Sequence, residues 1–509
     1  MNGIHIVDIL IVIAYFAAML FLGYCISRKS KSTEDYFVAG RSYKGWMLGL
    51  SMMSTTISSV TFLAFPAAAF ASDWHLAVIN FSWPVGMVIA AIFFIPFFRN
   101  SRMTTAFDYL ERRFGTPVSL YGVFLFLLSE VIRLGIILYL VSLALASMTG
   151  FNLSAVIIIV GLVIAAYTVI GGFEGVIIMD VVQAFVMWIS GIATIVLILC
   201  KLPGGFGQAM EVAVENGKFG LGAMEWSFNE QTFWVMLLLG AISSFGNFTT
   251  SQHVIQRYLA AKSLKEARKG AVVGAFSSLP TWLSYFFVGT LLWVFYHTFP
   301  EPALEGAQAE SVFPHFILTQ FPVGLVGLVV AGIFSAAMSS LDSSINAIAT
   351  VTVTNIVRRA APGREEKFYL RNAYVISILC GIFMIVSALV FANAVSNQES
   401  VMQFQTILFT IIGGPVVGVF LMGFISTKIH YKATVISIVV SFIINLYLGL
   451  NCLGFLPAAM TLPIHAFWTN IVVNVVFCLL AYLLGLCWPN HGRDLDGLTI
   501  WTVLKKQED

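Results

Sequence analysis

A chain of 509 residues with 59% hydrophobic and 10% charged residues lacks the polar groups needed to cover a water-facing surface, since soluble domains carry about 25% charged residues. The formal net charge is only +2, and the six cysteines and eight histidines show neither paired spacing nor an HExxH motif. The composition excludes an ordinary soluble domain, the cysteines are expected to serve packing more than a disulfide or a metal, and nothing suggests a metal enzyme.

The apolar residues fall in runs of about 20 or more, long enough to cross a bilayer. They lie at roughly 4–26, 43–71, 74–98, 117–148, 153–171, 176–200, 232–252, 270–297, 315–356, 372–395, 403–427, 431–451 and 462–487. None alternates with the period of a membrane strand, so the chain reads as an all-α polytopic membrane protein of about thirteen helices, the longer ones tilted or extended past the bilayer. The first run begins with His5 and Asp8 and continues uncut into Arg28, Lys29 and Lys31. It is therefore expected to be a transmembrane helix and not a signal peptide.

The second span is interrupted by Ser51, Ser54, Thr55, Thr56, Ser58, Ser59 and Thr61. In the fourth, Glu130 and Arg133 stand one turn apart at mid-span. An unpartnered arginine there costs at least about 2.5–3.5 kcal/mol, so Arg133 either pairs with Glu130 or faces a cavity and clamps a substrate carboxylate. In the sixth, Asp180 follows Gly171-Gly172-Phe173-Glu174-Gly175. It reads either as an acid favoured by a helix N-terminus or as a cation ligand or exit-path relay.

The seventh span, five after the second, is interrupted in turn by Ser243, Ser244, Gly246, Asn247, Thr249, Thr250, Ser251 and Gln252. Paired interruptions in two halves point to a transporter's midplane site and to an inverted repeat. The expected organisation is one extra helix (4–26), a first five-helix repeat (43–200), a second (232–427), two C-terminal helices (431–487) and a cytoplasmic tail (488–509).

In the ninth span Ser335, Ser339, Asp342, Ser343, Asn346 and Thr350 share one helical face about 100° wide. Such a face meets protein or water, not lipid. Hydroxyls with one carboxylate suit a small hard cation such as Na+; serine faces also pack membrane helices together. In the eleventh, Gln403, Gln405, Thr406 and Thr410 lead into Gly413-Gly414-Pro415, a gate hinge or a plain kink.

With the N-terminus outside, 24 of the 27 Lys and Arg residues fall in inner segments, as the positive-inside rule requires. No GxxxxGK[ST] phosphate loop occurs, so energy for uphill transport is expected from an ion gradient unless a partner supplies it.

Four blocks in order carry a resemblance that extends over about residues 5–490. They are Thr33-Glu34-Asp35-Tyr36-Phe37-Val38-Ala39-Gly40-Arg41, Gly171-Gly172 with Asp180 and Gln183, Gln252 with Gln256-Arg257-Tyr258, and the stripe Ser339–Asn346. Through them the chain resembles the sodium/solute symporter family. The resemblance implies a five-plus-five inverted-repeat core of the leucine-transporter (LeuT) type, alternating access, and co-transport of one or two Na+. It implies a Na+ site from the carbonyls of Ser54, Ile57 and Ala336 with the hydroxyls of Ser339 and Ser340. A second site, found in some members, maps to Asp180, Ser339, Asp342 and Ser343. Asp342 stands where a serine would fit that pattern, which would strengthen the site or make it proton-sensitive.

Thr55-Thr56-Ile57-Ser58-Ser59-Val60-Thr61-Phe62 and Ser72-Asp73-Trp74 look most like the bacterial sialic acid branch. That likeness implies a pocket of Thr56, Ser58, Thr61, Asn80 and Arg133, with Asn80 replacing a longer amide and Glu130 outside the pattern. The expected function is Na+:solute symport into the cell with an acidic sugar such as sialic acid, and no enzymatic activity. A neutral-sugar or monocarboxylate symporter is the alternative, and a sensor or channel the other class. The expected partners are the solute, Na+ and the lipid bilayer of a bacterial inner membrane. The chain is taken as a monomer, with an oligomer left open, and no nucleic acid is expected.

Overall fold

In lipid a backbone must satisfy its own hydrogen bonds, which a helix does within one segment. The computed structural model describes residues 5–27, 37–100, 103–394, 405, 408–409, 411–488 and 494–502, and among these there is no strand; a lone bridge joins Tyr43 to Ala261. The helices that matter below are α1 (Ile6–Ser27), α2 (Gly45–Thr56), α3 (Phe65–Ala71), α4 (His75–Arg99), α5 (Thr116–Thr149) and α6 (Leu153–Lys201). They continue as α7 (Phe233–Thr250), α8 (Gln252–Ala260), α9 (Leu264–Thr298), α10 (Leu325–Val351) and α11 (Glu366–Ala394). The chain ends in α12 (Val416–Ile425), α13 (Tyr431–Cys452) and α14 (Ala466–Cys487).

Ten helices among the described residues are long and apolar enough to cross a membrane, and the bent pair Gly45–Thr56 and Val60–Ala71 makes an eleventh. The shorter apolar helices Leu153–Ala166 and Val416–Ile425 fall in the two remaining expected spans. Several boundaries differ from the sequence reading, among them the start of the span expected from 372, which lies at Glu366. The expected span 315–356 joins two elements: Ala309–Gln320 is a separate helix, and α10 begins after Pro322, at Leu325. The span expected from 270 starts at Leu264, where the Ser263 side chain caps the Glu266 N–H. Residues 28–36, 403–404, 406–407 and 410, and most of the tail 488–509, lie outside the described residues.

Two glycine pairs let α2 and α9 approach closely. A Cβ at Gly45 would lie 2.4 Å from the Glu266 carbonyl oxygen, and one at Gly49 2.5 Å from Val273 Cβ; across the contact, Gly270 faces Gly45 and Gly274 faces Gly49. Spacing by four residues puts each pair on one helix face, the small-residue packing that substitutes for a hydrophobic drive in lipid. Further along α9, a Cβ at Gly289 would lie 2.2 Å from the Pro66 carbonyl oxygen of α3. Both halves of the bent pair are thus seated on one long helix.

Asp8, in the first span, is buried and accepts hydrogen bonds from Gly324 N and Gly327 N at 2.8 Å each. A carboxylate at a helix N-terminus meets free N–H groups and the positive dipole end. It ties α1 to the start of α10.

Candidate functional site

Hydroxyl side chains that bond to nearby carbonyls compete with helix propagation. At the end of α2, Thr56 Oγ1 donates to Met53 O at 2.9 Å, Ile57 is extended (φ −92°, ψ 105°), and the pair bends by 61°. The second interruption behaves alike. Thr249 and Thr250 donate to Phe245 O and Gly246 O, Ser251 is extended, and α8 begins at Gln252. The two breaks expected from sequence are both present, and each frees backbone carbonyls.

Beside the first break lies a cavity of about 390 Å³, within the range of small-molecule sites. Thr56, Ser58, Thr61, Asn80 and Arg133, the five residues expected to line a substrate pocket, all line it. Glu130 lines it too, as do Trp83, Trp282, Phe65 and Phe409. Arg133 Nη2 donates to Thr55 O at 3.0 Å, while Nη1 lies 3.8 Å from Glu130 Oε1 and 3.3 Å from His253 Nε2. The two residues form an ion pair and both line the cavity.

The carbonyls freed at the end of α2 are met by α10. Ser339 Oγ donates to Ser54 O at 2.8 Å and to Ala336 O at 3.2 Å; Ser340 Oγ donates to Thr55 O at 2.9 Å. Ile57 follows in the extended link, and all these residues are buried. Ser54, Ala336 and Ser339 are thereby brought together, and Ser340 joins them through the Thr55 carbonyl, which was not in the expected set; the groups they share are hydroxyls and carbonyl oxygens. That donor set suits a hard monovalent cation.

The other four-residue set divides. Asp180 Oδ2 accepts from Arg257 Nη2 at 2.7 Å and from Ser51 Oγ, while Ser343 Oγ accepts from Arg257 Nη2 at 2.8 Å and bonds Thr55 Oγ1 at 2.9 Å. Asp342 Oδ1 instead accepts from Thr168 Oγ1, and Ser339 faces Ser54. The rest of the stripe serves packing: Ser335 bonds Tyr15 Oη, and Asn346 and Thr350 both accept from Gln256 Nε2.

Arg257 is the residue the sequence reading misplaced. Counted there as an inner-loop cation, it is fully buried on α8 and donates to Ser51, Thr55, Asp180, Ser343 and the His253 carbonyl. A signal was available, because Asp180 and Arg257 stood in two of the four motif blocks and each lacked an assigned partner. His253, the partner of Arg133, carried no motif signal.

A family model described as "Sodium:solute symporter family" matches residues 36–440. The chain is 32% identical over 437 residues to the sodium/sialic acid symporter SiaT of Proteus mirabilis, covering 85% of this chain and 87% of that protein. Its fold is similar to the solved substrate-bound outward-open state of a Na+-coupled sialic acid symporter with a novel Na+ site: TM-score 0.86, 29% identity, 95% of this chain and 98% of that one. It is also similar to Mhp1, a nucleobase-cation-symport-1 family transporter, with TM-score 0.57 and 16% identity over 89% of this chain and 94% of that one. The likeness to Mhp1 shows the shared leucine-transporter-type architecture alone. By the extent of the model match and of the alignments, the chain belongs to the sodium:solute symporter family.

Proposed function

We propose that this Na+:solute symporter imports sialic acid or a closely related acidic sugar, with Arg133 pairing with its carboxylate and Thr56, Ser58, Thr61 and Asn80 meeting its hydroxyl and amide groups. The observation that carries the reading is the position of Arg133 at a polar cavity lined by these residues. A guanidinium in a partly apolar site is suited to bidentate recognition of a carboxylate. The aromatic walls at Trp83 and Trp282 fit the apolar faces of a sugar ring. The names of the similar transporters point the same way.

In this reading Na+ sits between α2 and α10, held by the carbonyls of Ser54, Ile57 and Ala336 and the hydroxyls of Ser339 and Ser340. Its arrival turns the two hydroxyl protons away from Ser54 O and Thr55 O and fixes the end of α2 in the form that receives solute. Each entering Na+ contributes about 2.3 kcal/mol per 100 mV of membrane potential. A second Na+ at Asp180, Ser339, Asp342 and Ser343 is part of the proposal; it requires Arg257 to withdraw from Asp180 and Ser343. Sigmoidal Na+ dependence that becomes hyperbolic in Ser343→Ala is its signature.

The proposal includes a bacterial inner membrane location with the N-terminus outside, a monomer as the working unit, and inverted repeats at 43–200 and 232–427. Uptake of labelled N-acetylneuraminate, lactate and glucose into proteoliposomes tests the substrate class. Na+-driven uptake of N-acetylneuraminate that is lost in Arg133→Ala is expected. Preferential glucose uptake, unchanged by that substitution, would contradict it.

A further inference from the structure

His253 lies buried on α8, just past the second break, and its two ring nitrogens have different partners. Nε2 lies 3.3 Å from Arg133 Nη1, and Nδ1 lies 3.6 Å from Glu130 Oε1. A guanidinium only donates, so Nε2 is the acceptor and the ring proton sits on Nδ1, turned to the carboxylate. Glu130 is itself held from α10 by a hydrogen bond with the Ser344 hydroxyl. A carboxylate at one ring nitrogen fixes the tautomer, and so fixes the acceptor at the other. That leaves the imidazole no donor to offer a ligand.

Arg133 is consequently fastened at two nitrogens, Nη1 by His253 Nε2 and Nη2 by Thr55 O at 3.0 Å. One anchor lets a planar fork pivot; two anchors on different nitrogens set both its direction and its tilt. The anchors come from the two breaks. Thr55 stands just before the extended Ile57, and His253 just after the extended Ser251. The fork is aimed only while both broken helices keep this arrangement, and bidentate capture of a carboxylate depends on that aim.

We infer that His253 is a positioning residue for solute selection, which acts by accepting from Arg133 and aiming its guanidinium at the solute carboxylate. The inference rests on the proposed pairing of Arg133 with that carboxylate. Without the acceptor, Arg133 keeps its charge and its bond to Thr55 but is free to turn onto Glu130 Oε1, which already lies 3.8 Å from Nη1. A guanidinium drawn onto its own carboxylate is less available to the solute's. The cavity then keeps its shape and loses its preference for an anion.

The test is competition against Na+-driven uptake of labelled N-acetylneuraminate, using unlabelled N-acetylneuraminate and its carboxyl methyl ester, which keeps the sugar and loses the charge. In the wild type the ester is expected to compete at least about thirtyfold more weakly. In His253→Ala the KM for N-acetylneuraminate is expected to rise about tenfold with the maximal rate within about twofold, and the advantage of acid over ester to shrink below about fivefold. His253→Gln, whose amide oxygen can accept at the same place, is expected to restore most of both. Equal weakening of acid and ester in His253→Ala, discrimination kept whole in that variant, or a Gln variant no better than Ala overturns the inference. Should the alanine variant fail to fold, His253→Leu, which fills the space without an acceptor, is read in its place. Absence of Na+-driven N-acetylneuraminate uptake, or equal competition by acid and ester in the wild type, overturns the carboxylate role of Arg133 together with this inference. A discriminating wild type whose discrimination survives in His253→Ala overturns the role of His253 alone.

Discussion

Arg133 and Ser340 donate to the same atom. The Thr55 carbonyl oxygen accepts Arg133 Nη2 at 3.0 Å from the cavity side and Ser340 Oγ at 2.9 Å from the side of the proposed Na+ site. One freed carbonyl at the end of α2 thus joins the two places where the solute and the ion are proposed to bind. Anything that moves this carbonyl changes both, which is the physical content of coupling between sites.

Ser340→Ala removes one proposed Na+ ligand and one anchor of that carbonyl. The half-saturating Na+ concentration for uptake is expected to rise about tenfold, the effect of losing roughly 1.4 kcal/mol, and apparent solute affinity at low Na+ is expected to fall with it. Uptake measured across Na+ concentrations checks this; a shift in Na+ dependence with solute affinity untouched would argue against the shared carbonyl.

Arg133→Lys keeps the charge and loses the planar fork. At a bidentate site these side chains are not interchangeable, so Lys is expected to restore little of the uptake lost in Arg133→Ala, with both variants at least about thirtyfold below wild type at subsaturating solute. Near-normal uptake by the Lys variant would mean that Arg133 acts as a point charge only.

The Asp180–Arg257 pair is fully buried. Breaking one partner of such a pair leaves an uncompensated charge and costs about 3–5 kcal/mol. Asp180→Asn is therefore expected to lower the yield and thermal midpoint of the folded protein, and Asp180→Asn with Arg257→Gln to recover much of the loss. Additive damage in the double variant, followed by thermal unfolding in detergent, would show that the two side chains act independently.

Gly49→Val tests the seat of α2 on α9. The added Cβ alone would stand 2.5 Å from Val273 Cβ and 2.8 Å from the Gly270 carbonyl oxygen, so the helices must separate and the end of α2 must move. Overpacking of this kind costs about 1–3 kcal/mol, and transport is expected to fall further than the amount of folded protein. Unchanged uptake by the valine variant would show that the seat of α2 does not set its position.

At the C-terminal end of α3, Lys218, in the loop before α7, donates to Phe70 O at 3.0 Å and to Ser72 O. Burial pulls its ammonium down to about 8, against the pull of Asp73 in the other direction. In the unfolded chain a lysine titrates near 10.4. Between these values the unfolded state binds more protons, so stability contributed by this site rises with pH from about 8 to 10.4 and is flat below. Lys218→Met is expected to remove that slope from thermal midpoints taken at pH 7, 8.5 and 10; parallel profiles for the two proteins would contradict it.

Eleven of the expected spans were legible because lipid demands long apolar runs, and the two breaks because clustered hydroxyls announce them. The meeting of Ser54 with Ser339 and the five cavity residues were legible only through the family resemblance, since spacing says which face a residue is on but not which helix it meets. Composition could not separate Ala309–Gln320 from α10, because both are apolar. Arg257 and His253 escaped because their partners lie 77 and 120 residues away in sequence. A positive-inside count treats every arginine near a span end as a loop residue and is blind to one folded back into the core.

The most direct test of the account is uptake of labelled N-acetylneuraminate into proteoliposomes holding the purified chain, with Na+ outside and K+ inside. The account predicts concentrative uptake that collapses when external Na+ is replaced by K+ or choline or when the Na+ gradient is dissipated. Equal uptake in Na+, K+ and choline would contradict it.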